Sequence, residues 1–176
     1  HESDMSLLTD MLKKGEIPLR VTHNDTKLNN CMFDKNTGKT ICVIDLDTVM
    51  PGLRAYDYGD SIRYGATTGA EDEIDLSKVN FSLELFKSYT EGFIKACGES
   101  MSYQEALSLP IGAKIMTLEC GIRFLTDYLD GDVYFRTHYA EHNLVRARNQ
   151  FKLVYEIEQH MDEMNEIVKN IYNKYK

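Results

Sequence analysis

The sequence predicts a mainly α-helical fold with a small β-hairpin insert near its front, an α+β unit over residues 1–176. Two observations carry that expectation. Strand-like runs are confined to residues 19–44, and everything beyond about residue 76 repeats its apolar side chains at three- and four-residue steps. A length of 176 residues with 43% hydrophobic side chains is enough for one sizeable core, so a single domain is expected.

Taken in order, Leu7, Leu8, Met11 and Leu12 stand at helical spacing behind a Ser3 cap candidate, and Gly15 and Pro18 close a short first helix. LRVTH, CMF and TICVI then read as strands. DKNTGK between the last two has the Asn, Thr and Gly of a hairpin turn. Residues 47 to about 72, aromatic and punctuated by glycines, read as a loop. Val79, Leu83, Phe86, Tyr89 and Phe93, with Gly98 beyond them, predict a helix over 76–97. Ser102 and Glu105 form a capping-box signature ahead of a helical stretch that Pro110 interrupts and that resumes towards Tyr128. The apolar stripe from Leu144 to Ile171 predicts one final helix of about 28 residues, or about 42 Å.

Composition excludes several classes of partner. Twenty basic against 28 acidic side chains give a net charge of -8, which disfavours nucleic acid and anionic membranes. No apolar run reaches the ~20 residues of a membrane span, and HESDMSLLTD lacks the pattern of a signal peptide, so a soluble, cytoplasmic protein is expected. Four scattered cysteines without C-x-x-C are expected to be buried small apolar residues rather than zinc ligands or a disulfide frame. A chain that begins at His1 rather than Met reads as part of something longer.

Three motifs carry chemistry. HNDTKLNN supplies His23, Asp25 and Asn30 in the order H-x-D-x-x-x-x-N, followed by a hairpin and Asp45. In phosphoryl transfer of the kinase type, the first Asp orients the attacking hydroxyl and accepts its proton, while the Asn and the later Asp bind Mg²⁺. The hairpin folds the chain back so that Asn30 and Asp45 can meet at one ion. Asp47 lies two residues on and, in a strand register, on the opposite face, so it stands as a possible second metal ligand or a structural residue. VIDLDTV also matches the opening of haloacid-dehalogenase phosphatases, which need alternating strands and helices downstream; this sequence turns helical instead. His138, Glu141 and His142 give H-x-x-E-H, a zinc-site pattern on a helix without an evident third ligand, for which histidines at a helix start are the simpler reading.

Read together, VTHNDTKLNN, CVIDLDTVMPG and YDYGDSIRYG resemble the aminoglycoside phosphotransferase-type small-molecule kinases. LECGIRFLTDYLDGDVYFRTHY and HNLVRARNQFKLVYEIEQ resemble the N-acetylhexosamine 1-kinases in particular, so the resemblance runs from about residue 19 to about 160. It implies the C-terminal lobe of a protein-kinase-like fold, with ATP and Mg²⁺ as cofactors and a sugar as substrate. By resemblance Asp25 is the base at the anomeric hydroxyl, Asn30 and Asp45 hold Mg²⁺, and Arg123, Tyr134 and Tyr64 contact the sugar. Relatives with other acceptors (an aminoglycoside, choline, homoserine or another sugar) and a non-catalytic sugar-binding module are the alternatives. All 11 glycines occur singly with no G-x-G, and no Gly-rich loop or strand Lys precedes His23. An N-terminal nucleotide lobe is therefore the expected packing partner, and most of the nucleotide site is expected to lie outside these residues.

Overall fold

A computed structural model describes all residues 1–176, of which 61% are helical. Helix α1 (Leu7–Lys13) starts after a 3₁₀ turn at Glu2–Asp4, later than a Ser3 cap implies. Four short strands follow: β1 (Arg20–Thr22), β2 (Cys31–Phe33), β3 (Thr40–Val43) and β4 (Met50–Gly52). β2 and β3 form the expected hairpin. Its turn is built by Asp34, whose Oδ1 accepts the amides of Asn36 and Thr37 and the Thr37 hydroxyl. β1 pairs antiparallel with β4, which lies within the stretch expected to be loop. Both sheets are antiparallel pairs, which removes the parallel-sheet scaffold on which the phosphatase reading of VIDLDTV depends.

The same expected loop holds a second correction: Arg54–Gly65 is helix α2. Its sequence, RAYDYGDSIRYG, hides it, because two glycines lower helix propensity by about 1 kcal/mol each and the charged residues break the apolar stripe. Tertiary packing overrides both. α2 is buried nearly all round, at Ala55 and at every residue from Tyr58 to Arg63. The glycines are what let it approach α5 (Leu109–Leu129): a Cβ at Gly59 would stand 2.3 Å from the carbonyl oxygen of Gly112, and one at Gly112 2.4 Å from that of Ala55.

Helix α3 (Leu83–Cys97) is capped by Ser82, whose Oγ accepts the Leu85 amide. It is shorter than predicted, since residues 76–78 form a separate 3₁₀ turn and Phe81 leaves the helical path to bridge Thr67. α4 (Tyr103–Leu107) has the predicted capping box, and Glu105 in addition takes a bidentate pair from Arg20, tying β1 to the helical layer. Pro110 sits in the first turn of α5, where its missing N–H is harmless.

The final stripe is two helices rather than one. α6 (His142–Gln159) ends at His160, and a separate α7 (Met161–Tyr175) packs Met164, Val168 and Ile171 into the main core with Phe86, Ile94 and Leu153. Tyr58 centres this core and hydrogen-bonds Thr90 at 2.6 Å. A smaller core of Leu8, Ile17, Leu53, Ala55 and Ile115 sits under α1. None of the four cysteines is fully buried and Cys42 is exposed, contrary to expectation, although burial pushes the Cys120 thiol up to about 12. No helix is long and apolar enough to cross a membrane.

Candidate active site

The segment between β1 and β2 is held by side chains rather than by sheet or helix. Asp57 on α2 accepts the backbone amides of His23 at 2.8 Å and Asn24 at 2.7 Å, which stabilises Asn24 in a left-handed conformation. Burial, opposed by those two amides, raises the Asp57 carboxyl above its usual range. Thr48 donates its hydroxyl to the His23 carbonyl, and Ser61 to that of Thr26. His23 donates Nε2–H to the Ile44 carbonyl at 2.9 Å while its Nδ1 accepts the Asp25 amide at 3.3 Å, a pairing that assigns the Nε2–H tautomer.

Asp25 is thereby fixed at the rim of an open cavity of about 930 Å³. The Asn30 side-chain amide donates to the Asp25 carbonyl and to its Oδ2, both at 2.8 Å, and the Lys27 ammonium is 2.9 Å from the same Oδ2. Oδ1 of Asp25 and Oδ1 of Asn30 accept no hydrogen bond within the chain. Partial burial would raise the Asp25 carboxyl, but Lys27 and Asn30 outweigh it and hold it below the usual carboxylate range. Because the folded value is depressed, the ionised form persists as pH falls until the acid side of that range, and the stability it confers is lost only there. A pH profile of turnover measured from pH 5 to 8 is therefore expected to show no limb that disappears in Asp25→Asn.

The structure brings Asp25, Tyr64, Arg123 and Tyr134 to one cavity. Tyr64, on α2, donates its hydroxyl to Asn29 Oδ1 at 3.2 Å. Arg123, on α5, has its guanidinium 5.6 Å from the Tyr134 ring centre and 5.3 Å from that of Phe135. Tyr134 is placed by Asp127, which accepts the amides of Val133, Tyr134 and Phe135 at 2.7–3.0 Å and is itself held by Asn143.

Asp45 and Asp47 are not among the cavity-lining residues. The chain bends where a strand register was expected: Asp45 adopts a left-handed conformation (φ 63°) and Asp47 lies in a 3₁₀ turn, both exposed. Asp45 remains next to the site through the chain, because the neighbouring Ile44 donates its amide to the Asn30 carbonyl at 2.9 Å. Its charge also acts on Lys27, alongside those of Asp25 and Asp60.

Sequence reasoning missed Lys27, Asp57, Asp60, Arg63, Glu119 and Asp127. Asp60 and Glu71 both pair with the buried Arg63, at 3.0 and 2.7 Å, closing the floor of the cavity. Once residues 54–65 are read as a helix, Asp57 and Asp60 fall three apart and would have been legible as a pair on neighbouring faces. The H-x-x-E-H pattern is not a helical metal site. His138 and Glu141 precede α6, and both ring nitrogens of the buried His142 are occupied, Nδ1 by the His138 amide at 3.2 Å and Nε2 by Asp72 at 3.3 Å.

Residues 3–86 match the model of the phosphotransferase enzyme family. That match supports an aminoglycoside phosphotransferase-type chain, a phosphotransferase of the small-molecule kinase kind. The matched span contains α1, all four strands, α2 and the loop of Asp25, and it stops before Arg123 and Tyr134.

Proposed function

We propose that this chain is the catalytic and acceptor-binding lobe of a kinase that transfers phosphate from ATP to the anomeric hydroxyl of an N-acetylhexosamine. The observation that carries this reading is an ionised Asp25, one carboxylate oxygen unspent, on the wall of a cavity shared with Arg123, Tyr134 and Tyr64. Arg and Tyr suit a sugar because they offer hydrogen-bond donors and flat faces over which a ring can lie.

Asp25 orients the anomeric hydroxyl and accepts its proton as that oxygen bonds to the γ-phosphorus and the bond to ADP breaks. Asn30 holds the carboxylate itself, while His23 and Asp57 hold the backbone that carries it. The donor types fit Mg²⁺: Asn30 spends its amide hydrogens on Asp25 and keeps its side-chain carbonyl oxygen, and Asp45, the residue after Ile44 whose amide bonds the Asn30 backbone carbonyl, offers an exposed carboxylate. When bound, the ion would neutralise charge on the transferring phosphates.

The nucleotide lobe proposed as partner has a surface to meet. Val21 is 83% exposed, and Met32, Phe33, Ile41, Val43, Leu46 and Met50 are exposed around the two sheets that flank Asp25. Apolar surface of this extent, next to a catalytic loop, supports an interface with another domain. Dependence on ATP, together with four free thiols, fits the cytoplasm.

In the kinase assembled with that lobe, Arg123→Ala is expected to raise KM for N-acetylhexosamine about 10- to 100-fold while KM for ATP changes little. A complete enzyme that phosphorylates choline, homoserine or an aminoglycoside readily, and N-acetylhexosamines not at all, would overturn the sugar assignment.

A further inference from the structure

One polar group in the cavity has no role so far. Glu119 stands one helical turn before Arg123 on α5, lines the main cavity, and also lines a smaller adjoining one of about 340 Å³. Its carboxylate approaches the Arg123 guanidinium only to 3.7 Å, which is too long for a hydrogen bond, and neither group makes a hydrogen bond within the chain. Both side chains are half-exposed, and the exposure is to the cavities they line. Of the other charged groups on this side of the cavity, Asp60 pairs with Arg63, Arg63 with Asp60 and Glu71, and Asp25 commits Oδ2 to Lys27 and Asn30. Glu119 and Arg123 thus form the one adjacent acceptor–donor pair on α5 whose hydrogen-bonding capacity faces the cavity unused.

We infer that Glu119 is a specificity-determining residue for the acceptor: it accepts a hydrogen bond from a ring hydroxyl of the sugar, while Arg123 donates to the neighbouring ring oxygen substituent. The inference rests on the sugar-kinase reading and narrows it, since a carboxylate and a guanidinium one turn apart match two vicinal oxygens of a pyranose. The Tyr134 and Phe135 rings, 5.6 and 5.3 Å from the Arg123 guanidinium, hold it and offer the flat surface a sugar ring needs. Partial burial holds the Glu119 carboxyl above the usual carboxylate range, only partly offset by the Arg123 charge, as expected for a carboxylate deprived of water with no donor of its own. A hydroxyl from the substrate supplies that donor.

The test is direct binding to this chain, followed by NMR titration with N-acetylglucosamine and with its 3-, 4- and 6-deoxy analogues. Glu119→Ala is expected to weaken the parent sugar about 10- to 100-fold, the range for losing a hydrogen bond to a charged group. Glu119→Gln, which keeps the shape and a neutral acceptor, should fall between, and its unchanged amide spectrum serves as the folding control. One deoxy analogue, the one missing the hydroxyl that Glu119 accepts, should bind wild type and Glu119→Ala equally. Unchanged affinity of Glu119→Ala for the parent sugar overturns the inference. So does an equal loss across the parent and every deoxy analogue, which would mark Glu119 as merely structural. If wild type binds no N-acetylhexosamine, the sugar-kinase reading itself fails and this inference with it; either of the other failures leaves that reading standing.

Discussion

Asp25→Asn is expected to lower turnover of the assembled kinase by about 10²- to 10⁴-fold while leaving Mg²⁺-dependent ATP affinity nearly intact. The substitution is nearly isosteric. It removes the charge that Lys27 and Asn30 stabilise and the basic oxygen that takes the hydroxyl proton, but leaves Asn30 Oδ1 and Asp45 in place. Turnover and nucleotide affinity measured side by side give the result. A variant of normal rate removes Asp25 from the chemistry, and one that loses ATP affinity in the same proportion makes Asp25 a metal ligand instead.

Asp57→Ala is expected to be nearly as damaging, by a different route. Asp57 touches neither the cavity nor the acceptor. It holds the amides of His23 and Asn24 and so sets the path of the backbone on which Asp25 sits. Removing it leaves two amides without partners in a partly buried loop, at a cost of about 2 kcal/mol of stability. A shift of about 1 Å in Asp25 is enough to reduce turnover about 100-fold. The pattern expected is a lower denaturation midpoint with a fall in kcat larger than the change in either KM. Asp57→Asn, which keeps one acceptor oxygen, should recover part of both. Normal turnover in Asp57→Ala would show that the loop keeps its shape without that carboxylate.

Where the sequence was informative, a short-range physical cause was responsible. The DKNTGK turn and the Ser102–Glu105 capping box are local, and both stand in the structure as predicted, the turn closed by Asp34. The Asp25–Asn30 contact was legible because the two stand five residues apart in one loop, whereas the left-handed bend that leaves Asp45 exposed outside the cavity was not. What escaped depends on distant contacts. α2 is helical because Gly59 and Gly112 let it lie against α5, a fact present only when both helices are in view. The break at His160 lies in an unbroken apolar stripe, and beyond it α7 packs into the core shared with α3. Asp57 and Asp127 work by gathering backbone amides from other segments, which leaves no mark in residue spacing. Arg123, Tyr134 and Tyr64 were named through resemblance alone, and their convergence on the cavity of Asp25 comes from α2, α5 and the Asp127-held loop.

The proposed reaction is transfer of phosphate to the anomeric oxygen of an N-acetylhexosamine with Asp25 as base. Phosphorus NMR of N-acetylglucosamine or N-acetylgalactosamine incubated with ATP, Mg²⁺ and this chain together with the proposed nucleotide lobe reads that outcome directly. The predicted result is a phosphomonoester signal coupled to the anomeric proton, absent when Asp25→Asn replaces the wild type. Phosphate on any other sugar hydroxyl, or transfer that persists undiminished in Asp25→Asn, would contradict it.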